Sequence, residues 1–173
     1  MSAFRTNAGP PIETKRCLCT SLAYGDFPGV ARLYSDHRVR RFLGGVADET
    51  FSRDRFETLC STSHGPIWAV RVKAAAEFIG MIFLDTYHDG EDIEVSFQFL
   101  PESWGQGFAT ETVGAIVAYA RDNLNLTRIV AETQVANTRS RALLERLGMK
   151  AIRELTRFGE PQLLYELPIG PLA

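Results

Sequence analysis

The residues with the clearest chemical potential are the glycines of Trp104-Gly105-Gln106-Gly107-Phe108-Ala109-Thr110-Glu111. They follow a strand-like run that stops at Pro101 and open a helix-like one. Glycine lets a backbone approach a ligand closely because no Cβ intervenes. The free N–H groups of a first helical turn, with the helix dipole behind them, attract a phosphate. A Walker A loop requires Gly-Lys-Ser/Thr, and no lysine is present here. A dinucleotide fingerprint requires glycine where Thr110 stands, after a strand that is not part of a meander. A plain structural turn fits the same residues, and the pattern alone leaves it standing.

The strand before the glycines carries the acid–base candidates. Alternation along Ile93 to Leu100 puts Glu94, Ser96 and Gln98 on one face, opposite Val95, Phe97 and Phe99. A polar face on a central strand suits a cleft. Glu94 is then a general base acting through water, with Ser96 or Gln98 as its substitutes; an exposed strand carboxylate is the competing account. Glu111, in the first helical turn, suits the dipole better than catalysis. His37, His64 and His88 fall in loops without metal-ligand spacing, so no metal is expected and each reads as a surface histidine. Cys17, Cys19 and Cys60 are odd in number and lack C-x-x-C spacing, which fits reduced thiols in the cytoplasm rather than disulfides or zinc.

These residues need a frame. Thr14 to Ser21 reads as a first strand, and Asp26 offers an N-cap to a helix through Ser35. His37 to Gly45 reads as a basic loop whose Arg38, Arg40 and Arg41 either recruit an acidic substrate or are merely solvated. A second helix follows over Ser52 to Cys60, with Phe51, Phe56 and Leu59 apolar. Ile67 to Val72, Phe78 to Tyr87 and Ile93 to Leu100 form an antiparallel meander, with a turn at His88-Asp89-Gly90-Glu91. A helix spans Gly107 to Asp122 and a strand Arg128 to Val135. Asn137 caps a helix stopped by Gly148, and strands at Lys150 to Thr156 and Gln162 to Leu167 finish the chain. The order implies an α/β (α+β layered) domain with a mixed sheet.

Trp104 to Glu111 resembles motif A of the GNAT acetyltransferases, in the W-G-x-G-Y/F-A-T/S-E form of the RimJ/RimL-like branch. Glu94-Val95-Ser96 stands at that branch's E-I-G, and Pro101-Glu102 at its P-D/E. Asn137-Thr138-Arg139-Ser140 and Leu147-Gly148-Met149 resemble its N-x-x-S…L-G-F element, and Thr14 to Leu18 its opening strand. The resemblance implies the acyl-CoA N-acyltransferase fold, a mostly antiparallel sheet of six to seven strands flanked by about four helices. It covers residues 12–168 as one domain behind a flexible arm at 1–11. It also implies acetyl-CoA as co-substrate, held by the backbone of Phe97, Gln98, Phe99 and Leu100 and by the loop Trp104, Gly105, Gln106, Gly107, Phe108, Ala109 and Thr110. Asn137 and Ser140 would touch the CoA arm, although capping and solvation explain them equally. The acetyl group would pass directly to a primary amine, on a protein N-terminus or a small molecule, by a chain with a homodimer as an open assembly. Many relatives place a proton-donating Tyr where this chain has Leu144, so a CoA-binding sensor or scaffold of the same fold is the alternative.

Composition agrees with an enzyme and excludes other classes. With 19 basic and 21 acidic residues the chain lacks the basic footprint of a nucleic-acid binder. No run approaches a membrane span, and Met1 to Pro11 has no apolar core of a signal peptide.

Overall fold

The structure, a computed structural model, describes residues 8–61 and 65–170. A short strand β1 (Ile12–Glu13) pairs with β2 (Cys17–Ser21), and the first strand expected from Thr14 therefore begins three residues later. Thr14 closes the turn between them, its N–H and hydroxyl both bonded to the Cys17 carbonyl. Helix α1 (Phe27–Ser35) starts where expected, but Asp26 does not cap it. Its carboxylate is buried and instead accepts from the Ala23 N–H at 2.9 Å and from the Arg71 guanidinium. The basic loop after α1 contains a short helix, α2 (His37–Arg40). Asp36 caps it by accepting from the N–H groups of Arg38 and Val39, and with only Val39 buried no apolar period announced it. Helix α3 (Glu49–Ser61) buries Phe56 and Leu59 but exposes Phe51, because Ser52 takes the inward position.

Next come β3 (Ile67–Val72), β4 (Glu77–Thr86) and β5 (Ile93–Phe99), the antiparallel meander that the period-two pattern demands. Helix α4 (Phe108–Asn123), β6 (Arg128–Gln134), α5 (Thr138–Arg146), β7 (Lys150–Arg157) and β8 (Glu160–Pro168) complete the fold. Among the described residues the sheet has eight strands in the order β1-β2-β3-β4-β5-β6-β8-β7. That exceeds the six to seven expected, and five α-helices replace about four, through the short β1 and α2.

One sheet face packs on α4 and α5. Val113, Ile116, Val117 and Ala120 of α4 recur at helical spacing and meet Val95, Phe99, Ile129 and Ala131 of the sheet. On the other face α1 and α3 cover Met81, Phe78 and Phe83 with Val30, Leu33 and Phe56. That cover is confined to one half of the sheet, as Tyr87, Val130 and Leu164 form a separate small cluster. Gly9 packs against Trp68, whose Nε1 donates to the Pro10 carbonyl at 2.9 Å, so the end of the N-terminal arm is fastened to the sheet.

Candidate active site

β5 and β6 are the parallel neighbours of the sheet, and their registered pairs are Ile93–Ile129 and Glu94–Val130. Beyond these β5 continues to Phe99 and β6 to Gln134 without further register, so the sheet opens as a wedge from Val95 onward. β5 stays paired with β4 as far as Phe99. The Leu100 N–H donates to the Ile79 carbonyl at 2.8 Å. Backbone direction alternates along a strand, so Gln98 and Leu100 point their peptide groups at β4 while Phe97 and Phe99 point theirs into the wedge. The Phe99 carbonyl is taken by the Trp104 indole N–H at 2.8 Å. Of the four strand residues expected to offer backbone to a ligand, the geometry leaves Phe97 and the Phe99 N–H. Sequence showed a strand, but not which of its edges was already occupied.

Both helices at the wide end begin there. α4 follows β5 through a tight turn at Pro101–Ser103, and α5 follows β6. Gly105 and Gly107 adopt φ of +74° and +79°, a region that penalises any side chain. The first helical bond runs from the Glu111 N–H to the Gly107 carbonyl at 3.0 Å, so the amides of Phe108, Ala109 and Thr110 have no helical acceptor. No atom lies within 4 Å of a Cβ built on Gly105. Arg16 donates to the Gln106 carbonyl at 2.9 Å and lies over the Phe108 ring at 4.3 Å. Arg139 lies over the Trp104 ring at 4.7 Å, and Arg146 reaches the Thr110 hydroxyl at 3.4 Å. Free amides, an open glycine loop and three nearby guanidiniums fit a diphosphate group.

Asn137 acts as an N-cap, its Oδ1 accepting from the Ser140 N–H at 3.3 Å. The Ser140 side chain is half-buried on the first turn of α5. Arg141 is turned away from the wedge and donates to the Val135 carbonyl and the Tyr165 hydroxyl. Leu144 is fully buried in the core, so this position offers nothing to a reacting group.

Glu94 sits at the narrow end of the wedge. Its Oε1 accepts from the Glu132 N–H at 3.2 Å. Burial raises its proton affinity, the Glu132 carboxylate adds to the effect, and the carboxyl rises to about 7 despite that hydrogen bond. Ser96 is exposed further along the strand, and the buried Oε1 of Gln98 meets no donor. Glu132, missed in the sequence, organises the surroundings. It accepts from the Tyr87 hydroxyl at 2.6 Å and lies 3.4 Å from Arg157 and 3.3 Å from His88. Burial pushes the Tyr87 hydroxyl far above its usual range, which keeps it a donor. His88 is therefore no isolated surface histidine; it also stacks on Tyr87 at 3.9 Å. The signal available was weak: Glu132 alternates with Val130 on an otherwise apolar strand. His64 lies outside the described residues.

Cys17 and Cys19 are buried on β2, where burial raises the Cys17 thiol and pushes Cys19 up to about 12. Neither holds a thiolate at neutral pH. No helix among the described residues is long and apolar enough to cross a membrane, and none of their His, Cys, Asp and Glu side chains form a group of three fit for a metal ion.

Comparison with known proteins places this architecture. Residues 16–150 match the Acetyltransferase (GNAT) domain family. The chain is 38% identical over 154 residues to an FsC-acetyl coenzyme A-N(2)-transacetylase of Aspergillus fumigatus, covering 82% of this chain and 66% of that one. It is 26% identical over 147 residues to the uncharacterized N-acetyltransferase YoaA of Bacillus subtilis, covering 82% and 83%. A GNAT-family acetyltransferase from Bacillus anthracis superposes with a TM-score of 0.82 at 22% identity, over 92% of this chain and 98% of its own. The match spans the wedge, the glycine loop and α5 together, and the chain belongs to the GNAT acetyltransferase family and is an acyltransferase.

Proposed function

We propose that this chain moves an acetyl group from acetyl-CoA directly to a primary amine, as a member of the RimJ/RimL-like branch. The observation that carries the reading is the wedge between β5 and β6, with the glycine-loop N-terminus of α4 at its wide end and Glu94 at its narrow one. The amides of Gln106 to Thr110 hold the diphosphate, and Phe97 and Phe99 offer backbone to the CoA arm, like an added strand. When bound, acetyl-CoA supplies an activated acyl carbon and a thiolate leaving group. Glu94 then does this chain's share of the chemistry. An alkyl ammonium must lose a proton before its nitrogen can attack, and a carboxyl near 7 takes that proton through water more readily than an ordinary glutamate. The Glu132 N–H holds its orientation. An N-terminal amine of a protein and a small-molecule amine both meet these requirements; the Aspergillus relative is named for transfer to an N(2) nitrogen.

The buried Leu144 favours a second reading, a CoA-binding sensor without turnover. Thiol release from acetyl-CoA over a broad amine panel tests the pair. Release with at least one amine, with the acetylated amine identified by mass, supports transfer. CoA binding without release for any amine overturns it in favour of the sensor.

A further inference from the structure

Two surface segments are fastened to consecutive residues at the end of β6, on the edge of the wedge. The Gln134 side-chain amide donates to the Phe42 carbonyl at 3.3 Å, anchoring the segment between α2 and α3. The Val135 N–H donates to the Pro161 carbonyl at 3.0 Å, anchoring the β7–β8 hairpin. Both segments are stiffened from within. Arg40 binds the carbonyls of Leu43 and Gly45, and the buried Gln162 binds those of Arg157 and Glu160. Both also present apolar side chains to solvent, Leu43 at 42% exposure, Val46 at 58% and Phe158 at 84%.

Phe158 is the informative one. The strand pair Arg157–Glu160 encloses a two-residue turn in which Phe158 has φ +54° and Gly159 φ +79°. Such a turn favours Asn-Gly, and a bulky residue at the first place is disfavoured by its Cβ. The hairpin therefore holds a strained, solvent-facing aromatic where a polar residue would fold better, and strain of this kind collects at ligand sites. The charges nearby narrow the partner. Arg157 lies over the Phe158 ring at 4.8 Å and Arg41 over the Phe42 ring at 5.1 Å, while Glu132 is already engaged by Arg157 and Tyr87. A second cation on the acceptor would meet guanidiniums, whereas an apolar group would meet Phe158, Leu43 and Val46.

We infer that this rim selects a primary amine carrying an apolar group, with Phe158 as a specificity-determining residue. The inference rests on the transfer reading above for the position of the acceptor. It extends that reading to the acceptor's chemistry and disfavours polyamines and other polycationic acceptors.

The test compares 2-phenylethylamine, ethanolamine and putrescine with the wild type and Phe158→Asn. The wild type is expected to show kcat/KM at least tenfold higher for 2-phenylethylamine than for either polar amine. Phe158→Asn should keep or raise Tm, leave the KM for acetyl-CoA in place, and raise the KM for 2-phenylethylamine at least fivefold. Saturation-transfer NMR reads the rim independently of turnover: the phenyl protons should receive magnetisation from the wild type and lose most of it in the variant. Binding without thiol release overturns the transfer reading while supporting the rim. Wild-type preference for putrescine, or a variant indistinguishable from wild type in both KM and NMR, overturns the rim.

Discussion

At the residue scale the chemistry turns on Glu94 and Gly107. The alternation of β5 was legible in the sequence and put Glu94 on the polar face, where the structure has it. Its altered proton affinity was not legible, because it comes from burial at the fork and from Glu132 on another strand. Replacing Glu94 by Gln keeps an oxygen for the Glu132 N–H and removes the base. The variant is expected to lose roughly one to three decades of kcat at pH 7. The loss should shrink at high pH, where the amine arrives neutral, and calorimetry should show unchanged CoA affinity. Equal kcat at every pH would make the carboxylate a bystander. Gly107→Glu acts on the other partner, since it sets a carboxylate and a Cβ at φ +79° against the diphosphate position. CoA affinity measured by calorimetry should fall at least tenfold, about 1.4 kcal/mol. Unchanged affinity in a folded variant would remove the diphosphate from this loop.

At the scale of elements, α4 was predicted within a residue at either end because its apolar face repeats at helical spacing. What holds it was hidden. Glu111 accepts from the Thr14 hydroxyl at 2.6 Å, the Arg16 N–H at 2.8 Å and the Arg16 guanidinium at 2.7 Å. Burial opposes its charge, yet these bonds hold the carboxyl at about 2. Glu111 thus clamps the β1–β2 turn to the first turn of α4, a contact between segments about 95 residues apart that no local pattern encodes. Glu111→Gln weakens three donors at once and should destabilise the fold by ~1–3 kcal/mol, read from urea midpoints at constant m. No change in midpoint would reduce the clamp to a surface contact. The wedge was equally illegible, since it is the absence of β5–β6 register past Glu94 and strands give no local sign of where pairing stops. α2 escaped notice because Asp36 makes it by capping rather than by apolar spacing.

For the whole molecule, these shifted carboxyls set opposite slopes on stability against pH. Glu94 binds its proton more tightly folded, at about 7, than its ordinary 4.5. The native state therefore holds a proton that the unfolded chain releases, and stability falls as pH rises from about 4.5 to about 7. Glu111 and Asp36 behave in reverse. Their folded carboxyls lie at about 2, below ordinary values of 4.5 and 3.8, so their stabilisation is complete above those values and is lost as pH falls toward 2. The ligand-free protein is thus expected to have its highest Tm near pH 5, with an acid limb from Glu111 and Asp36 and a neutral limb from Glu94. Removing the charge at the fork should flatten the neutral limb alone. Glu94→Gln should match wild type at pH 4.5 and exceed it at pH 8, by about 2 to 4 °C for each kcal/mol relieved. Such a gain would accompany the loss of kcat, because a base kept desolvated for proton transfer is a cost to the resting fold. Scanning calorimetry of the pair at both pH values decides it. Equal Tm at pH 8 would show that the fork does not hold Glu94 away from its ordinary ionisation.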